Sequence, residues 1–162
     1  MSIQPNETYI LNLLKELLDT PSPTGYTGHI MKRIEKEAAS LSVPLAWNEK
    51  GGAILSITGQ DTSRTVGLSG HVDTLGAMVR AIKSEGTLRL TSVGGYMMNS
   101  IENEYCVIHT RSGKKYTGTI LSTHPSVHVY SDAREFKREE AHMEVRIDEW
   151  VESADDVKKL GI

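Results

Sequence analysis

The apolar residues of this chain change their period once, and that change constrains the fold more than any other feature. Tyr9, Ile10, Leu13, Leu14, Leu17 and Leu18, and then Ile30, Met31, Ile34, Ala38 and Leu41, recur every three or four positions, as on helices with one buried face. Asn6 is a natural N-cap for the first helix. The run Asp19-Thr20-Pro21-Ser22-Pro23-Thr24-Gly25, with two prolines and a glycine, ends it in a structured loop. Beyond the second helix the apolar residues come in short runs, and Pro44–Trp47, Ala53–Thr58 and Thr65–Ser69 are predicted strands. Helices followed by strands predict helices layered on a sheet, an α/β or α+β arrangement.

From Gly76 the pattern is of strands alone: Ala77–Lys83, Thr87–Val93, Tyr105–Thr110 and Lys115–Ser122, joined by Gly-containing turns. This predicts a separate small barrel or sandwich. His124–Glu140 is polar and without period, which predicts a long, mobile loop. Met143–Ile147 returns to a strand. Ser153 then opens a capping box, acids precede lysines, and Gly161 sits where a helix would close, so a short helix is expected there. A β region ending on that helix and an apolar Gly161-Ile162 reads as interrupted rather than finished.

Composition narrows the partners. The 162 residues carry 18 basic and 21 acidic side chains, a net charge of -3, with the two signs interspersed. Nucleic acid and anionic membranes attract clustered Lys and Arg, so neither is expected as a partner. No apolar run approaches the ~20 residues needed to span a bilayer. Cys106 is the single cysteine, and Met1–Pro5 has neither a basic nor an apolar leader segment, so a soluble protein of the reducing cytoplasm is expected.

The chemistry centres on Thr65-Val66-Gly67-Leu68-Ser69-Gly70-His71-Val72-Asp73-Thr74. On a strand, residues two apart share a face, so His71 and Asp73 would stand side by side at the carboxyl edge of a sheet, where ligands prefer to bind. A histidine so placed can ligate a metal through one ring nitrogen while the carboxylate orients the ring. Taken alone, the triplet is a weak signal and reads more simply as a surface histidine bonded to a nearby acid.

The order Ser22-Pro23-Thr24-Gly25-Tyr26, Ala53-Ile54-Leu55 and Gly70-His71-Val72-Asp73-Thr74-Leu75-Gly76-Ala77-Met78-Val79 resembles the N-terminal half of the tetrahedral or glutamyl aminopeptidases, the M-forty-two metallopeptidases. The likeness continues through Ser92-Val93-Gly94-Gly95, Tyr116-Thr117-Gly118-Thr119-Ile120 and Asp156-Val157-Lys158-Lys159-Leu160-Gly161-Ile162. The wording of Ser22–Tyr26, Asp73–Val79 and Val145-Arg146-Ile147-Asp148-Glu149 is most similar to a branch linked with the N-acetylglutaminylglutamine amide osmoprotectant system.

The resemblance implies an α/β fold: part of a zinc-peptidase α/β/α domain over residues 1–74, then a PDZ-like β-barrel insert over residues 75–162, apparently incomplete, that drives homo-oligomerisation. It implies two divalent ions, zinc or else cobalt or manganese, acting on peptides or small peptide-like substrates. His71 matches a metal ligand, and Asp73 matches the catalytic carboxylate that steers it. The family's bridging Asp, its Glu general base, a further acidic ligand and a final His have no counterpart in this sequence. One histidine cannot hold two ions about 3.5–4 Å apart. The chain by itself is therefore expected to be inactive, as the N-terminal portion of a longer aminopeptidase. The alternative is a non-catalytic oligomerisation module, and a third arrangement would share zinc between His71 and a loop histidine of another subunit.

Other candidates read more plainly. His124 and His128 have the i, i+4 spacing of helical zinc ligands but no helical pattern around them, which leaves a polar loop. Cys106, beside Val107 and Ile108, reads as an inert, buried thiol, and His109 as an ordinary strand residue. Asp132–Glu140 reads as a solvated face and Gly94-Gly95 as a turn. Met97 and Met98 fit core filling better than an interaction surface. Apolar residues near Leu55 and Leu68 are expected to remain uncovered, promoting association.

Overall fold

In the computed structural model, residues 4–162 are described, so the leader reading at Met1–Ile3 lies outside the described residues. The chain divides after Leu75 into two compact units.

The first unit opens with helices α1 (Glu7–Asp19) and α2 (Gly28–Ser40). Asn6 caps α1 as the sequence predicts, its Oδ1 accepting from the Tyr9 amide at 3.0 Å. Side chains tie the two helices together: the Tyr9 hydroxyl donates to Glu37 Oε1 and Arg33 donates to Glu16 Oε2 at 2.7 Å, while within α2 Arg33 also donates to Glu37 Oε2 at 2.6 Å. Glu37 in turn pushes the Tyr9 hydroxyl pKa up, because ionisation would break that bond. Helix α2 buries Ile30 and Ala38, whereas α1 buries no residue. Strands β1 (Leu45–Trp47) and β2 (Ala53–Leu55) form an antiparallel hairpin. Its turn is held by Asn48 Oδ1, which accepts from the amides of Lys50 at 3.0 Å and Gly52 at 2.8 Å.

The predicted third strand, Thr65–Ser69, is not formed among the described residues. An extended segment becomes a strand only when a neighbour satisfies its amides and carbonyls, and no described strand lies beside this one. Val66 is 85% and Leu68 98% exposed, and Ile57 and Leu55 are exposed as well. The predicted strand at Ala53–Thr58 likewise stops at Leu55.

The second unit is a five-stranded antiparallel sheet of order β3-β4-β7-β6-β5, made of β3 (Gly76–Ile82), β4 (Leu88–Val93), β5 (Tyr105–His109), β6 (Lys115–Ser122) and β7 (Met143–Ile147). The expected barrel is not shown: the described strands form this sheet, with β3 and β5 at its ends. Alternation sets the core: Met143, Val145 and Ile147 of β7 point inward beside Leu88, Ile108 and Ile120, while Glu144 and Arg146 lie on the other face. Gly118 on β6 lets β7 approach, since a Cβ there would lie 2.7 Å from both the Arg146 carbonyl oxygen and Val145 Cγ1. Helix α3 (Ala154–Leu160) adds Val157 to this core. Its ends follow the sequence reading, with Ser153 Oγ accepting from the Asp156 amide and Gly161 at φ 87°.

The segment 123–139 forms no helix or strand, as predicted, but it is pinned rather than loose. The His124 ring lies between Tyr130, at 4.3 Å, and Phe136, at 3.9 Å, and Phe136 also meets His142. Arg138 bonds Glu102 and the carbonyls of Ala133 and Phe136. The expected solvated face at Asp132–Glu140 is therefore partly internal.

Candidate functional site

The His71–Asp73 pair lies at the end of the first unit, outside any strand. Its anchor is the loop after α1. Pro23 and Thr74 form an isolated parallel bridge, and the Thr74 amide donates to the Ser22 carbonyl at 2.9 Å. Ser22 is fully buried and its hydroxyl donates to the Val72 carbonyl at 2.8 Å. The same loop turns at Pro23–Tyr26, where the Tyr26 amide donates to the Pro23 carbonyl at 2.7 Å and Gly25 takes φ 87°. That positive φ at the third residue is what a type II turn needs, and glycine supplies it without strain.

The clasp brings Thr24 onto Asp73. The Thr24 hydroxyl donates to Asp73 Oδ2 at 2.7 Å and holds the carboxyl below its usual pKa, with a smaller contribution from His71. The other oxygen, Oδ1, lies 3.2 Å from His71 Nδ1, which is also 3.1 Å from the Asp73 main-chain oxygen. A proton on Nδ1 therefore has two acceptors. The His71 side chain is 85% exposed, which leaves Nε2 open to solvent. Leu14, Leu17 and Leu18 of α1 line an apolar depression beside residues 71–74.

An imidazole oriented through Nδ1 by a carboxylate and open at Nε2 is the donor arrangement of a metal-ligating histidine. The fit ends there: among the described residues no three His, Cys, Asp or Glu side chains gather as a metal site. One ligand position and its orienting group are present, and a two-metal centre is not composed from these residues.

The sequence places His71 beside Asp73 by strand geometry, whereas in the structure the pair lies outside any strand and is held by the Ser22–Thr24 clasp. Thr24 and Ser22 were not singled out as partners of the pair, because they lie 49 and 50 residues away along the chain and no local pattern links them. The remaining candidates stay apart from the site. His124 Nδ1 is 3.1 Å from Asp132 Oδ1, the His128 amide donates to Ser126 Oγ, and among the described residues neither histidine belongs to a group of three or more His, Cys, Asp or Glu that could hold a metal. Cys106 is half-buried and burial pushes its thiol pKa up, which keeps it protonated. His109 of β5 pairs in register with Lys115 of β6. Gly94 has φ 89° in a turn, Met98 packs on the core and Met97 is exposed.

A profile described as M42 glutamyl aminopeptidase matches residues 51–162. YhfE of Bacillus subtilis, whose name carries a provisional aminopeptidase assignment, is 49% identical over 152 residues, covering 94% of this chain and 44% of the relative. Among solved structures, the TET aminopeptidase of a marine sediment Thaumarchaeota archaeon is similar with a TM-score of 0.83 at 22% identity, over 98% of this chain and 43% of that one. The TET1 peptidase of Pyrococcus horikoshii, which can assemble into a tetrahedron or a large octahedral shell, gives a TM-score of 0.72 at 21% identity, over 93% and 43%. At such identities the structural likeness shows the mixed α/β fold. The chain spans less than half the length of these relatives.

Proposed function

The chain belongs to the M42 glutamyl aminopeptidase family, and from that premise we propose that it contributes His71 and Asp73 to the centre of a metal-dependent aminopeptidase. The observation that carries the reading is the His71 ring, held through Nδ1 by Asp73 with Nε2 open. His71 Nε2 would hold one divalent ion, with zinc, cobalt and manganese all compatible with a site of His and carboxylates. When bound, a divalent pair polarises a scissile carbonyl and lowers the pKa of water. The work of this chain is to present the His71 ring in one orientation and to keep the Asp73 carboxylate charged beside it. The remaining ligands and the general base come from polypeptide outside the described residues.

The substrate class is a peptide with a free N-terminus or a small peptide-like amide, the latter in keeping with the branch resemblance. Residues 4–74 act as part of the catalytic domain. Residues 75–162 serve as a PDZ-like β insert that supports homo-oligomers, a role supported by the assemblies described for the TET1 peptidase. The absence of a helix long and apolar enough to cross a membrane among the described residues is compatible with a cytoplasmic setting.

The test is His71→Ala in the full-length protein, with bound metal counted by elemental analysis and turnover followed on an aminoacyl nitroanilide. The expected result is loss of metal and at least a 100-fold loss of activity, on the order of the removal of one essential group. Full metal occupancy with normal turnover would remove His71 from the centre. A protein with neither metal nor turnover before substitution would favour the non-catalytic module.

A further inference from the structure

We infer that residues 123–139 form a pH-sensitive strap: a proton taken up by His124, between the rings of Tyr130 and Phe136, tightens the loop, and its loss loosens it. The inference concerns the second unit alone and stands apart from the reading of His71.

The strap is built around one imidazole. His124 lies nearly parallel to Tyr130, at 4.3 Å and 6°, and to Phe136, at 3.9 Å and 20°. Two parallel rings at such distances cannot share one face of the imidazole, so one covers each side. In the ring plane Nδ1 is 3.1 Å from Asp132 Oδ1, and the His124 side chain is only 28% exposed. The stems of the loop are fixed beside it. The His124 amide donates to the hydroxyl of the buried Ser122 at 3.1 Å, and the Thr123 amide donates to the His142 carbonyl at 2.9 Å.

An imidazolium over an aromatic face and beside a carboxylate is held more tightly than a neutral ring in the same place. The other charged groups at the loop are engaged elsewhere. Arg138 donates to Glu102 and to the carbonyls of Ala133 and Phe136, and Glu140 accepts from the Ser92 amide at 2.8 Å. Beyond Phe136, His142 Nδ1 is 2.8 Å from the Lys137 carbonyl, a bond that a neutral ring also makes. Arg134, Glu135, Lys137 and Glu139 are exposed. The docked loop thus offers a proton on His124 a carboxylate and two ring faces that an undocked loop lacks. By linkage the docked form gains as pH falls through the histidine range, and the gain is lost as pH rises. A partly exposed ion pair and cation–π contact together are worth about 5–10-fold in the docked population.

The experiment follows amide hydrogen exchange by NMR in the full 162-residue chain, from about pH 5.5 to 8, where histidine ordinarily changes charge. Rates are expressed as protection factors, which removes the intrinsic pH dependence of exchange. Ala133 is the reporter, because it is buried and its amide donates to the Tyr130 carbonyl within the loop. The Val145 amide of β7 is the reference. Ala133 protection relative to Val145 should fall about 5–10-fold from the acid to the alkaline end, with a midpoint that coincides with the titration of the His124 ring signals. His124→Phe keeps a ring in the stack but takes no proton, and its profile should be flat. Asp132→Asn, at an exposed side chain, should reduce the fall to about 2–4-fold. A flat profile in wild type, a His124 ring that does not titrate in this range, or a fall that persists in His124→Phe overturns the strap. Circular dichroism checks folding. If His124→Phe does not fold, Asp132→Asn decides, and an undiminished fall there overturns the inference.

Discussion

Replacing Ser22 by alanine should loosen the site while leaving the rest of the protein folded. Ser22 is fully buried and its hydroxyl donates to the Val72 carbonyl at 2.8 Å, one residue from each member of the His71–Asp73 pair. Deleting the hydroxyl removes a hydrogen bond of net worth about 0.5–1.5 kcal/mol and leaves the Val72 oxygen short of a partner, so a local cost of about 1–2 kcal/mol is expected. That corresponds to a rise of about 5–30-fold in the open population of the clasp. The reporter is the Thr74 amide, which donates to the Ser22 carbonyl at 2.9 Å and exchanges with solvent only when the clasp opens. Hydrogen exchange followed by NMR should show Thr74 accelerated by that factor, with the Val145 amide of β7 unchanged. Unaltered Thr74 protection would refute the clasp as the element that holds the pair. Equal acceleration at Val145 would refute its local character.

Two further outcomes concern the second unit. Gly118→Ala would place a methyl group 2.7 Å from the Arg146 carbonyl oxygen and Val145 Cγ1, and should destabilise by about 1–3 kcal/mol in urea unfolding; Gly95→Ala, which meets nothing within 4 Å, should be close to neutral. Asp156 is held at a pKa of about 2 by the Ser153 hydroxyl, the Lys159 ammonium and the Glu152 amide. Its folded value lies below the unfolded 3.8, so its stabilisation is complete above about pH 4 and fades as pH falls towards 2. Urea midpoints measured between pH 5 and 2 should therefore fall less steeply in Asp156→Asn than in wild type.

The fold was legible where local chemistry decides it. The Asn6 cap, the Ser153–Gly161 helix and the alternation of Met143, Val145 and Ile147 are short-range patterns, and the structure follows them. Thr65–Ser69 has equally good strand composition, yet composition carries no information on whether a partner strand lies alongside. The loop at 123–139 looked loose because its order comes from rings and an arginine brought together from scattered positions: Tyr130, Phe136, His142 and Arg138 around His124 and Glu102. In the candidate site His71 and Asp73 were visible as a triplet, because their contact spans two residues. Thr24 and Ser22 were not, because a threonine in a proline loop gives no sign of which carboxylate it will meet.

The clasp also dates the site within folding. Its contacts join residues 50 apart, from Ser22 to Val72, whereas the helices and the β1–β2 hairpin close through neighbours a few residues away. Closing so long a loop costs chain entropy that only the later contacts repay. In the first unit, then, the helices and hairpin form early, and the His71–Asp73–Thr24 arrangement appears only when the last long loop shuts. Unfolding runs the other way, and the candidate ligand loses its orientation before the helices melt.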